Sequence, residues 1–153
     1  MKDELRMEPC AANRPAVLII GSIGENSGQL LRMLGACNCD TQAAGTRQAA
    51  LAIMRERIIP IAICDHELPD GTWTDLLNEL STLADRPNLV VTSRTADDHL
   101  WVEVLNMGGY DVLSQPFVHR EVAHVIDSAW RNWTQQQLQR IRIMKAGSSK
   151  KGR

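Results

Sequence analysis

Aromatic residues are scarce in this sequence: one Tyr, one Phe and four Trp make up 4% of 153 residues. That scarcity weighs against a flavin or nucleotide stacked between rings. Long apolar runs are missing too, and none approaches the roughly 18 residues of a membrane span. The first residues, Met1–Glu8, are charged and acidic, without the apolar core of a secretion signal. Lys2–Leu5 spells a retrieval motif, but such signals are read at a C-terminus. There are only four cysteines. Cys37-x-Cys39 is too tight for a usual zinc pair and has no second pair or neighbouring His. Reduced thiols in a cytoplasmic protein are the expectation. His66, His99, His119 and His124 share no metal-ligand spacing. No Ser or Cys sits in a nucleophile motif with a base, so the chain does not read as an enzyme.

Net charge is also nearly absent, at −1. That figure hides an asymmetry. Residues 1–118 hold nine Lys and Arg against sixteen Asp and Glu, a net of −7. Residues 119–153 hold eight against two, a net of +6. An acidic body with a basic tail points to a partner. The length suits one ordinary domain with a core of its own.

Apolar patterning supplies the architecture. Ala16–Ile20 is a short continuous apolar run between Pro15 and Gly21, as expected of a strand buried on both faces. Ile58–Cys64, ending at Asp65, and Asn88–Thr92 read the same way, whereas Asp40–Ala44 and Tyr110–Ser114 are weaker. Helices are expected between them. Leu30, Leu31 and Leu34 mark the first. Ala50, Leu51 and Met54 mark the second, with Thr46 as its cap. The third spans about Thr74–Leu83, and the fourth opens at Asp97 or Asp98 and ends near Met107. From His119 a stripe of Val122, Val125, Ile126, Ala129, Trp130 and Trp133 marks the fifth. Five β-α units in strict alternation predict a doubly wound, five-stranded parallel sheet with helices on both faces. Ligand sites in such folds lie beyond the C-terminal strand ends. That places Gly21-Ser22, Asp65, Thr92-Ser93 and Ser114-Gln115 together.

These strand ends resemble those of the response-regulator receiver domain, the phospho-acceptor module of two-component signalling. The resemblance covers about residues 15–130. It is carried by Ile61-Ala-Ile-Cys-Asp65-His-Glu-Leu-Pro69-Asp-Gly71, by Pro87-Asn-Leu-Val-Val-Thr92-Ser93, and by Gly108-Gly-Tyr-Asp-Val-Leu-Ser-Gln115-Pro116-Phe117. It implies a flavodoxin-like receiver fold. Asp65 then takes the phospho-acceptor position and Thr92 the hydroxyl position that moves onto the phosphoryl group. Gly21, Ser22, Ser93, Gln115 and Pro116 form the rest of the pocket. It also implies a cis Gln115-Pro116 bond and a sensor histidine kinase or another signalling protein as partner.

The departures are as informative. Receiver domains hold Mg²⁺ with two acids after the first strand, and here Gly21 and Ser22 stand there. Their phosphoryl-contacting Lys is Gln115, and the aromatic switch position is Val112, with Tyr110 two residues earlier. Trp73 replaces a frequent Gly. Transfer of a phosphoryl group to a carboxylate relies on charge neutralisation by Mg²⁺ and Lys. A pocket without those charges is expected to be phosphorylated slowly or not at all by the Mg²⁺ route. No resident cofactor is expected.

The expected division is an N-terminal segment at 1–14, a receiver-like domain at 15–134, and a basic helical extension with a disordered tail at 135–153. The helical pattern continues through Leu138, Ile141 and Met144, about four turns past the usual receiver end. A lone solvated helix is marginal, so a homodimer through the last helix or its extension is expected. Two other readings are open at this point. Gly21-x-x-Gly24-x-x-x-Gly28 could cradle a flavin or nucleotide phosphate in a flavodoxin-like protein. The basic tail, including Arg140, Arg142, Lys145, Lys150, Lys151 and Arg153, could contact nucleic acid, although no base-reading motif accompanies it.

Overall fold

The computed structural model describes residues 14–21, 25–94 and 98–151. A single five-stranded parallel sheet organises them. Its strands are β1 (Ala16–Ile20), β2 (Asp40–Ala44), β3 (Ile61–Asp65), β4 (Asn88–Ser93) and β5 (Asp111–Ser114). They lie in the order β2-β1-β3-β4-β5, all parallel. The helices between them are α1 (Glu25–Ala36), α2 (Arg47–Glu56), α3 (Trp73–Leu80) and α4 (Asp98–Asn106), and α5 (His119–Lys151) closes the fold. The doubly wound expectation holds.

Strand periodicity sorts the core into two layers. Leu18, Ile20, Ala62, Cys64, Leu89 and Val91 face one way and meet α2, α3 and α4 through Leu51, Leu76 and Val104. Val17, Ile19, Ile61, Ile63, Val90 and Leu113 face the other way and meet α1 and α5 through Leu34, Val122 and Ile126. β1 and β3 are buried on both faces, which is why they read as unbroken apolar runs. β2 is an edge strand, and its DTQAA sequence reflects one covered face.

Local chemistry sets the helix starts. The Thr46 hydroxyl accepts from Ala49 N at 3.1 Å and caps α2 as expected. Thr72 and Asp75 form a reciprocal capping box that starts α3 at Trp73, a residue earlier than expected. α3 also ends sooner, at Leu80, with Leu83 packed against the core from the following turn. Before α3, Glu67–Leu68 pairs with Gly71–Thr72 in a two-residue antiparallel ribbon that periodicity could not reveal. Trp73 is buried beneath this loop and anchors it to the core.

The last helix differs from expectation in length. Helical backbone runs to Lys151, into the tail expected to be disordered. The helix is continuous from the body, so no new nucleus is needed to propagate it. Trp130 packs against the core, and its ring stacks on that of Trp133 at a centroid distance of 5.9 Å. Among the described residues, no helix is long and apolar enough to cross a membrane.

Candidate functional site

Parallel register brings the expected site residues to one rim of the sheet. Asp65 is the last residue of β3 and pairs with Thr92 on β4, while Ser93 pairs with Ser114 on β5. Backbone hydrogen bonds hold the rim together: His66 N donates to Thr92 O at 2.9 Å, and Gln115 N donates to Ser93 O at 3.1 Å. Gly21 follows β1 directly, and its N–H donates to Ala44 O at 2.9 Å. Gln115-Pro116 is cis, as expected. Ser22 lies outside the described residues, as does Gly24 of the glycine loop.

A chain of donors converges on Asp65. The Thr92 hydroxyl is buried and donates to Asp65 Oδ1 at 2.8 Å. Gln115 Nε2 donates to Thr92 Oγ1 at 3.3 Å. Thr92 thus accepts from a neutral amide and passes a hydrogen bond to the carboxylate. The half-buried Asp65 and Gln115 have further partners as well.

The opposite side of Asp65 is closed by a backbone. Gly21 has φ +135°, which disfavours a side chain in any case. A Cβ there would lie 2.6 Å from Asp65 Oδ2 and 3.1 Å from Asp65 Cβ. Asp65 therefore fills the space from which a side chain at position 21 would start.

Thiols and the phenol elsewhere in the fold are occupied with structure. Cys64 points to the opposite face, fully buried, and burial pushes its thiol well above the usual range. Cys39 is pushed up to about 11, first by burial and then by Cys37, so it is a poor nucleophile at neutral pH. The Tyr110 hydroxyl hydrogen-bonds to Ser128 of α5. Val112 is half-buried and packs against the core.

The loop after Asp65 is clasped from outside, a feature the sequence reading missed. Asp70 Oδ1 accepts from Arg47 N at 2.8 Å, and Oδ2 accepts from Gln48 N at 3.1 Å. Asp70 thus supplies acceptors to the N-terminus of α2 from another loop. The hydrogen bond from Arg47 N, chiefly, lowers its carboxyl below the usual value of 3.8. Arg47 Nε returns a bond to Asp70 O at 3.2 Å, and its guanidinium pairs with Glu79 of α3. Asp70 beside Gly71 reads locally as a turn, so the partner 23 residues away carried no sequence signal.

An acidic strand end and a buried hydroxyl on the next strand thus meet at the C-terminal rim of a doubly wound parallel sheet. The sequence profile of the response regulator receiver domain matches residues 17–127. The chain belongs to that family, whose members are modules of two-component signalling. Solved structures agree in fold. The signal receiver domain of an HD domain-containing protein from Pseudomonas fluorescens Pf-5 is 20% identical, with a TM-score of 0.73 over 82% of this chain and 93% of that one. A CheY-like receiver domain protein from Methanospirillum hungatei JF-1 is 20% identical, with a TM-score of 0.71 over 80% and 98%. The beryllofluoride-activated NtrC4 receiver domain dimer is 19% identical, with a TM-score of 0.71 over 77% and 98%. Comparison with curated protein sequences yields no match.

The family implies Mg²⁺, and the residues present do not fit it. Mg²⁺ needs near-octahedral oxygen ligation, with carboxylates supplying part of it. Position 21 offers no side chain, and its side-chain space is taken by Asp65. Among the described residues, no three His, Cys, Asp or Glu side chains are grouped to hold a metal ion.

Proposed function

We propose that this chain is an atypical receiver module in a two-component phosphorelay. Asp65 stands at the phospho-acceptor position, Thr92 at the switch position, and Gly21, Ser22, Ser93, Gln115 and Pro116 around them. The module signals by protein–protein contact and does not act as an enzyme. Its partner is a sensor histidine kinase or another signalling protein, met through α4, β5 and α5 in the cytoplasm. The receiver proper comprises 15–134, and 135–153 is an extension through which two copies associate.

The carrying observation is that a Cβ added at Gly21 would fall 2.6 Å from Asp65 Oδ2. In a receiver with a full acidic pocket, Mg²⁺ and a Lys offset the charge that gathers as a phosphoryl group approaches the carboxylate. In this chain the carboxylate leans into the metal ligand's space, and Gln115 supplies a hydrogen bond without charge. Mg²⁺-dependent phosphorylation of Asp65 is therefore impaired, and the scaffold serves mainly for contact. Membership of the receiver family leaves the flavin or nucleotide reading without support. The nucleic-acid reading has only the basic residues of α5 in its favour.

Labelling with acetyl phosphate across a Mg²⁺ series, with Asp65→Asn as control, tests this. Slow labelling without Mg²⁺ dependence, or none, is expected. Rapid Mg²⁺-dependent labelling that Asp65→Asn abolishes would overturn it.

A further inference from the structure

The exposed part of α4 carries an apolar stripe among Asp98, His99, Glu103 and Asn106. Val102, 47% exposed, lies opposite the buried Leu100 and Val104, and Trp101 and Leu105 flank it at 48% and 38%. Acids edge this stripe. Asp98 opens it, and Asp111 on β5 accepts from Trp101 Nε1 at 3.3 Å. α4 contains no Lys or Arg. A helix apolar on both sides has one face in need of a cover.

A second surface of matching kind lies on α5. Arg140 pairs with Asp85 of the body at 2.7 Å. Turned away from that contact, Leu138 and Ile141 are 50% and 48% exposed on one face of the helix. Arg142 and Lys145 stand among them, also exposed. From position 128 onward the sequence has no Asp or Glu. This surface is apolar and basic, as the first is apolar and acidic.

Charge decides how two copies meet. Two extensions laid side by side would gather Arg142 and Lys145 of both chains with no acid to offset them. An extension laid on the α4 face covers apolar surface with apolar surface and brings its cations to Asp98 and Asp111. We infer that the α5 extension of one copy docks on the outer face of α4 in a second copy, reciprocally, in a two-fold dimer. The inference rests on the homodimer reading above and deepens it by naming the two surfaces.

Sedimentation equilibrium of the full chain across a salt series tests it. A dimer that weakens as salt rises is expected, because opposite charges are screened. Asp98→Lys with Val102→Lys, and separately Arg142→Glu with Lys145→Glu, each weaken the dimer by roughly tenfold or more. All four sites are exposed, so each variant stays folded, with the helical circular dichroism of the parent. Mixing the two variants restores a 1:1 dimer, because one contact is then native and the other charge-reversed. A monomer at every concentration would remove the homodimer reading itself. A dimer that withstands the α4 variant and tightens with salt would keep that reading and overturn the docking.

Discussion

The interior of the sheet and its C-terminal rim follow different rules. Inside, Val17–Ile20 and Ile61–Cys64 are all buried, and alternation alone assigns each side chain to one of two packed layers. At the rim, Gly21, Thr92 and Gln115 surround Asp65 without bringing a charge to it. The interior is fixed by volume and the rim by polar detail. A receiver scaffold and a receiver's charge set are therefore separable: packing that builds the first does not require the second.

Substitutions can sharpen or break that contrast. The largest effect belongs to the interior. Leu34→Ala leaves a void in a fully buried layer and is expected to cost about 2–5 kcal/mol in urea unfolding. Gly21→Ala comes next, at about 1–3 kcal/mol, because it combines a positive φ with a clash on Asp65. Adding Asp65→Ala should recover part of that loss. Strict additivity of the two changes would break the claim that Asp65 fills the space beside position 21. Thr92→Val removes the buried donor to Asp65 and is expected to cost about 1 kcal/mol. A neutral result would mean that the hydroxyl chain does not hold the carboxylate.

The smallest effect concerns Asp70. Its folded pKa is lowered, so its contribution to stability is present above 3.8 and is lost as pH falls through the lowered folded value. Asp70→Asn should be slightly less stable than the parent near pH 7. In a urea series the gap should narrow progressively as pH falls below 3.8. A gap independent of pH would remove the charge of Asp70 from the account.

The interior was legible in the sequence because buried parallel strands leave continuous apolar runs, as at Ala16–Ile20 and Asn88–Thr92. Asp65, Thr92 and Gln115 were legible as a group because each ends or follows such a run, and register then aligns them. Three features were not. The carboxylate of Asp65 turning toward Gly21 depends on a backbone angle that glycine permits but does not announce. Asp70 reaching the start of α2 depends on two loops meeting in space. The persistence of α5 to Lys151 runs against the Gly-Ser composition of its end, because an established helix propagates where a new one would not start.

The central claim is that Asp65 sits in a pocket unable to use Mg²⁺ in the usual receiver manner. The most direct measurement is a titration of the full chain with Mg²⁺ and beryllofluoride, followed by tryptophan fluorescence and amide NMR shifts around Asp65 and Thr92. The account predicts no tight, Mg²⁺-dependent response, and the same traces for Asp65→Asn. Tight Mg²⁺-dependent binding of beryllofluoride, abolished by Asp65→Asn, would contradict it.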